Sequence, residues 1–142
     1  RQRQMCIRDR WDGPNNSKLM SIVPVQYRRP GAAGDATNTP YLLVTGEDAM
    51  FQATKETLIS DVQDGLGKTI MIVESNSAVP WTKPDDLVYA KDKPLPVFGG
   101  FFDEGFHAAF GDGSVRFLSK SMPESVLRAL LTARGGEEDV KQ

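Results

Sequence analysis

The sequence predicts an α+β fold in which an antiparallel β-sheet, ending in a C-terminal hairpin, is followed by a C-terminal helix. Nine prolines and thirteen glycines in 142 residues separate short apolar runs, a pattern typical of many turns and short strands. A Gly-Asp-Gly turn lies between two short β-type segments around residue 112. An apolar stripe with helical spacing follows it. We therefore expect a loop-rich domain that ends in one well-defined helix.

The first half of the chain is predicted to hold one short helix and two strands. Residues 15–23 carry cap residues and apolar positions at helical spacing, and Pro24 ends that helix. Residues 41–46 form a β-rich apolar run, hence a strand. Residues 69–74 are apolar and β-branched, which predicts a central strand buried on both faces. The proline-punctuated residues 77–96 are predicted to be extended and irregular.

The hairpin is predicted from residues 106–110 and 114–118, which flank the Gly-Asp-Gly turn. Gly113 is expected to adopt a positive φ there. Alternation along the first hairpin strand places Phe106, Ala108 and Phe110 on one face and His107 on the other.

The closing helix is predicted from its start signals and its apolar stripe. Ser121 and Glu124 have capping-box spacing, and Pro123 lies in the first turn. Gly135 is expected to close the C-terminus of the helix. The stripe consists of Val126, Leu127, Leu130 and Leu131.

Residues 1–10, RQRQMCIRDR, differ in composition from the rest of the chain. They hold four arginines and the only cysteine and show no apolar periodicity. The segment resembles translated sequencing-adapter DNA, and we interpret it as non-native; a disordered basic tail is the alternative. The remainder has 13 basic and 18 acidic residues, a net charge of −5, and no cysteine for a disulfide, a thiol nucleophile or a metal site. Residues 138–142 are predicted to fray.

Composition also excludes several classes of function. The whole chain has a net charge of −2, which argues against a nucleic-acid surface. It contains no apolar run of the roughly 18 residues that a membrane span needs. No cofactor-binding motif is present, and we expect no cofactor.

His107, the only histidine, is the first candidate for catalysis. Nucleophilic catalysis requires a base that is oriented by a carboxylate and placed against a serine or cysteine. The sequence has no Gly-x-Ser-x-Gly elbow and no second histidine. We therefore predict no catalytic residue and interpret His107 as a structural cross-strand partner.

Asp112 and Gly113 are interpreted first as turn residues, because Asp bonds nearby backbone and Gly accepts a left-handed conformation. The alternative is a calcium site formed by Asp103, Glu104 and Asp112. The spacing of these acids is not that of an EF-hand.

The hairpin sequence AFGDGSVRFLS, taken with TIMIVES, AVPWTKPDDL and SVLRALLTARGGE, resembles the C-terminal domain of a bacterial prepilin-like family. WDGPNNSKLM and VQYRRPG also resemble its preceding segment, so the likeness covers residues 11–137 as one domain. The family has no established biochemical activity and is named for a motif in which nine residues separate a His from an Asp-Gly pair. Here Asp112 and Gly113 match that pair, but Phe102 occupies the position of the His.

The resemblance implies a pilin-head-like fold and a non-enzymatic role. Complete members begin with a basic leader and a long apolar helix, so we expect this chain to be an N-terminally truncated fragment. The resemblance places such a head on the periplasmic or extracellular side of the cell envelope, in a secretion-like or surface assembly. Its implied partners are pilin-like subunits or envelope proteins, and the absent helix would be its membrane contact.

A different class of function stays open beside this one. An extracellular solute- or glycan-binding module would use aromatic faces and a few polar groups. Trp81 is the candidate ligand contact for that class, supported by Trp11 and by carboxylates in neighbouring loops.

Overall fold

The structure is a computed structural model that describes residues 10–30 and 37–135. In this part of the chain, five strands and one α-helix are joined by loops and short 3₁₀ turns. The strands are β1 (Asn38–Thr45), β2 (Ile70–Pro80), β3 (Leu87–Val88), β4 (Gly105–Phe110) and β5 (Val115–Ser119), and the helix is α1 (Glu124–Leu131). The 3₁₀ turns are Asn16–Leu19, Val25–Tyr27, Ile59–Asp61 and Leu66–Lys68. The predicted α+β class is confirmed. No helix among these residues is long and apolar enough to cross a membrane.

The strands form one sheet in the order β3-β1-β2-β4-β5. β4 pairs antiparallel with both β2 and β5, but β1 and β3 are parallel. The prediction of a wholly antiparallel sheet is therefore wrong. The chain leaves β2 beside the start of β1, where the Trp81 N–H donates to the Thr37 carbonyl at 3.0 Å. It then runs in the direction of β1 and pairs with that strand's end.

β2 is the central strand, as predicted. Three successive residues, Val73, Glu74 and Ser75, are buried, so both faces are covered at this point because side chains alternate along a strand. β2 also continues to Pro80, through residues that were expected to be irregular. The largest fully buried side chains are Phe110, Ile70, Leu131, Val44, Val73 and Thr69.

The helix α1 is present, but its predicted caps are wrong. Its N-cap residue is Pro123, and no side chain caps the first turn. The Ser121 hydroxyl instead contacts the Ser119 hydroxyl at the end of β5, 2.8 Å away. At the other end the chain becomes extended at Thr132, well before Gly135. The Ala133 N–H then donates to the Asp48 carbonyl at 2.8 Å, which holds the chain away from a further helical turn.

The described residues form two compact units. One contains the residues up to Tyr41 together with Ser77–Asp85, and the other contains Leu42–Asn76 and the residues from Asp86 onward. In the first unit, the helix expected over residues 15–23 is only a 3₁₀ turn, Asn16–Leu19, and a second such turn follows Pro24. The prediction of a single domain over residues 11–137 stays a prediction.

Candidate functional site

The exposed face of the hairpin carries three aromatic rings in mutual contact. Pairing of β4 with β5 sets His107 opposite Phe117, and Phe102 joins them from the loop before β4. The ring centroids are 5.2 Å apart for His107–Phe117, 5.3 Å for Phe102–His107 and 5.7 Å for Phe102–Phe117, all edge to face. Phe102 is 42% and Phe117 47% exposed. We call these three residues the aromatic patch.

A glycine at the start of β4 makes room for the patch. Gly105 pairs with Ser119, and a Cβ placed on it would lie 2.7 Å from two ring carbons of Phe117. The same Cβ would collide with the Leu118 carbonyl oxygen. Because real side chains do not approach so closely, only glycine lets the Phe117 ring lie over this backbone.

Beneath the patch, Glu74 of β2 places a buried carboxylate against His107. Its side chain is 5% exposed. One carboxylate oxygen, Oε2, accepts the His107 backbone N–H at 2.8 Å and lies 3.1 Å from the ring Nδ1. The backbone pairing of β2 with β4 ends at Val73–Ala108, so the carboxylate continues the ladder by one hydrogen bond. A buried charge needs such partners, because unpaired burial costs several kcal/mol.

This contact also orients the imidazole ring. In the tautomer that carries its proton on Nδ1, the ring donates to Glu74 and Nε2 carries the lone pair. Sequence reasoning required a carboxylate that orients the histidine for catalysis, and Glu74 supplies one. The aromatic neighbours of the His107 ring are Phe102 and Phe117. The patch therefore presents an apolar surface with a fixed polar edge.

Glu74 is the residue that sequence reasoning missed. It is the only charged side chain between Thr69 and Ser75, in a segment that was predicted to be buried on both faces. A carboxylate in such a strand requires a buried donor, and this was the available signal. Nothing in the sequence pointed to His107 as that donor, because 33 positions separate the two residues.

The three residues that align with the motif named in the resemblance lie at opposite ends of the hairpin. Phe102 belongs to the patch, whereas Asp112 and Gly113 form the turn. Asp112 Oδ1 accepts the Ser114 N–H at 2.9 Å, and Gly113 has φ +83°. The turn interpretation of Asp112 and Gly113 is thus confirmed.

The pKa of Asp112 is lowered from its ordinary value of 3.8, first by the Ser114 side chain and then by the Ser114 backbone N–H. Of these two contacts, the backbone N–H makes the well-formed hydrogen bond. The positive charge of Arg116 also lowers this pKa, while desolvation opposes the change.

The three calcium candidates are not brought together. Asp103 and Glu104 precede β4 and Asp112 follows it. Because each residue of an extended strand advances the chain by about 3.4 Å, β4 places Asp112 on the order of 20 Å from Asp103 and Glu104. Within residues 10–30 and 37–135, no three acidic, histidine or cysteine side chains are grouped to hold a metal ion.

Trp81 lies in the other unit and is half-buried, as is Trp11. The indole N–H of Trp81 donates to the Met20 carbonyl at 3.1 Å, and its ring lies 5.6 Å from the Tyr27 ring. The nearby Asp85 carboxylate is bound by Lys83 at 2.6 Å. The indole N–H and this carboxylate, two polar groups that could orient a solute, therefore already have partners.

Comparison with known proteins finds no family model, no curated protein and no solved structure that matches this chain.

Proposed function

We propose that the chain is a non-enzymatic interaction module, the head domain of a pilin-like protein in a cell-envelope or secretion-associated assembly. The observation that carries the proposal is the aromatic patch. Aromatic side chains are enriched at the centres of protein interfaces, and two exposed phenylalanines on one small face are a costly arrangement for a surface in contact only with water.

The way in which the patch is held also suits a binding surface. Each ring is held by its neighbours, and His107 is further fixed by Glu74. A surface whose rotamers are already fixed loses little side-chain entropy when a partner covers it. The proposed partner is another pilin-like subunit, on the periplasmic or extracellular side of the envelope. The family resemblance of the hairpin sequence supports this choice.

Photo-crosslinking in the source bacterium tests the proposal. A photoreactive residue at position 117 is expected to crosslink the protein to a pilin-like subunit. The matched control is position 97, because Val97 is also an exposed apolar residue of the same unit. Crosslinks at 97 but none at 117 would contradict the proposal.

Sequencing the gene across the junction upstream of Trp11 tests the envelope part separately. We expect an in-frame basic leader followed by an apolar helix of about 20 residues. If RQRQMCIRDR is native and no such helix precedes it, the anchored head is wrong.

A solute- or glycan-binding module is the second candidate, and the Tyr27–Trp81 ring pair favours it. Tyr27 is exposed, and two rings at an angle offer faces on which a sugar can stack. Both tryptophans of the chain lie in this unit, so their fluorescence reports binding there. A saturable change with oligosaccharides that is lost in Trp81→Phe would favour this candidate.

A further inference from the structure

Residues 19–27 expose an unusual amount of apolar surface for so short a stretch. Ile22 is 66% and Val25 74% exposed, and Leu19 and Tyr27 are exposed as well. The backbone here is nevertheless ordered by turn hydrogen bonds. The Ile22 N–H donates to the Leu19 carbonyl at 2.9 Å, and the Tyr27 N–H to that of Pro24 at 3.0 Å.

Trp81 fastens both halves of this stretch to the rest of its unit. Its indole N–H binds the Met20 carbonyl, and its ring contacts that of Tyr27. The exposed side chains therefore project from a backbone that is fixed before and after Pro24. We call residues 16–29 the turn surface.

The turn surface also differs in charge from the rest of the chain. Residues 16–29 contain three basic residues and no acidic residue, a net charge of +3, whereas residues 31–142 contain ten basic and seventeen acidic residues, a net charge of −7. Lys18 and Arg28 are exposed beside the apolar residues.

We propose that the turn surface binds anionic membranes. Ile22 and Val25 enter the boundary between headgroups and acyl chains, while Lys18 and Arg28 contact lipid phosphates. Exposed apolar side chains combined with basic ones are the pattern of interfacial membrane binding, and Tyr and Trp are enriched at that depth. The positive charge complements anionic headgroups, which attract basic residues near the surface.

A protein partner would have to cover Lys18, and interface centres are depleted in lysine. The inference does not rest on the proposed function, since it uses different residues and needs no pilin-like subunit.

Vesicle binding by the full chain tests the inference. Vesicles of phosphatidylcholine with about one third phosphatidylglycerol are compared with pure phosphatidylcholine, by co-sedimentation and by tryptophan fluorescence with brominated lipids. We expect binding to the anionic vesicles only, with quenching of the tryptophans, and weaker binding at about 0.5 M salt.

Paired variants separate the two contributions. Ile22→Ser with Val25→Ser is expected to weaken partitioning at least about tenfold, because two apolar side chains no longer leave water. Leu58→Ser with Ile59→Ser removes side chains that are 63% and 74% exposed in the other unit, and is expected to change nothing. Lys18→Gln and Arg28→Gln should each weaken partitioning about fivefold, the equivalent of about 1 kcal/mol per basic residue.

The arginines at positions 1, 3 and 8 require their own control. Replacing all three by Gln is expected to leave the loss caused by Ile22→Ser with Val25→Ser intact. Equal binding to both kinds of vesicle, or binding lost only with these three arginines, would overturn the inference. So would equal losses from the Ile22/Val25 and Leu58/Ile59 pairs. An absence of lipid binding overturns it too, while crosslinking at position 117 would still support the proposed assembly.

Discussion

The two ends of the β4–β5 hairpin are held together by different means. At the turn, Asp112 binds the backbone of Ser114 and Gly113 supplies the positive φ. The backbone N–H groups of Gly111 and Asp112 also donate to the distant carbonyls of Thr69 and Leu66. At the open end, His107 is held by Glu74 from another strand. There Lys120 also reaches back to the Phe102 carbonyl at 2.7 Å. The side chain and the φ angle that shape the turn are thus supplied by neighbouring residues, whereas the buried side chain that holds the open end comes from another strand. The open end also carries the exposed rings.

Two glycines provide the sharpest contrast between these ends. At Gly105 a side chain would collide with Leu118 and Phe117, whereas nothing lies within 4 Å of a Cβ at Gly113. We expect Gly105→Ala to lower the free energy of unfolding by about 3 kcal/mol, because β5 must move. Gly113→Ala should lower the free energy of unfolding by only about 1 kcal/mol, because alanine must then adopt the positive φ of this position. Chemical denaturation of both variants measures this, and equal losses would show that close approach is not what distinguishes Gly105.

Removal of the Glu74 carboxylate tests the open end directly. Glu74→Ala leaves the part-buried His107 N–H without its acceptor, and we expect a loss of about 2 kcal/mol in the free energy of unfolding. Glu74→Gln keeps an oxygen that can accept this N–H, so its loss should stay below about 1 kcal/mol. Amide hydrogen exchange at His107 reports the same bond, and should accelerate strongly only in the alanine variant. Equal losses in unfolding free energy and equal exchange rates in the two variants would show that the hydrogen bond from the His107 N–H to Glu74 is not the source of the stabilisation.

The His107 ring should matter less than its backbone. In His107→Ala the backbone N–H still donates to Glu74, and only the Nδ1 contact and the ring contacts are lost. We expect a destabilisation of about 1 kcal/mol or less. A loss above about 2 kcal/mol would overturn the structural interpretation of this histidine. A double-mutant cycle with Glu74→Ala then measures how much of the pair's coupling passes through Nδ1.

What could be predicted follows the same division. The turn at Asp112 and Gly113 was predicted correctly because the residues that specify it are neighbours. The partnership of Glu74 with His107 was not, because tertiary pairing brings together two residues that are 33 positions apart in the sequence. The end of α1 was misplaced for the same reason, since Ala133 binds Asp48 and no local signal marks that contact. The parallel pairing of β3 with β1 likewise could not be predicted from local sequence, because it depends on where β2 ends.

Asp112→Asn should have the smallest effect at neutral pH and an effect that depends on pH. Because the folded-state pKa of Asp112 is lowered from its ordinary value of 3.8, the charged carboxylate stabilises the fold at pH values above that ordinary value. That stabilisation is lost as the pH falls through the folded-state pKa. The difference in unfolding free energy between the wild type and Asp112→Asn should therefore shrink from pH 7 toward about pH 2.

Urea denaturation across this pH range measures the difference. Gly113→Ala is the control, because it perturbs the same turn but keeps the carboxylate, so its deficit relative to the wild type should stay nearly constant with pH. If the loss in unfolding free energy caused by Asp112→Asn is also constant with pH, the asparagine destabilises the turn through its shape and not through the missing charge. The charge on Asp112 would then contribute nothing to holding this end of the hairpin, and the turn would be specified by Gly113 and the backbone alone.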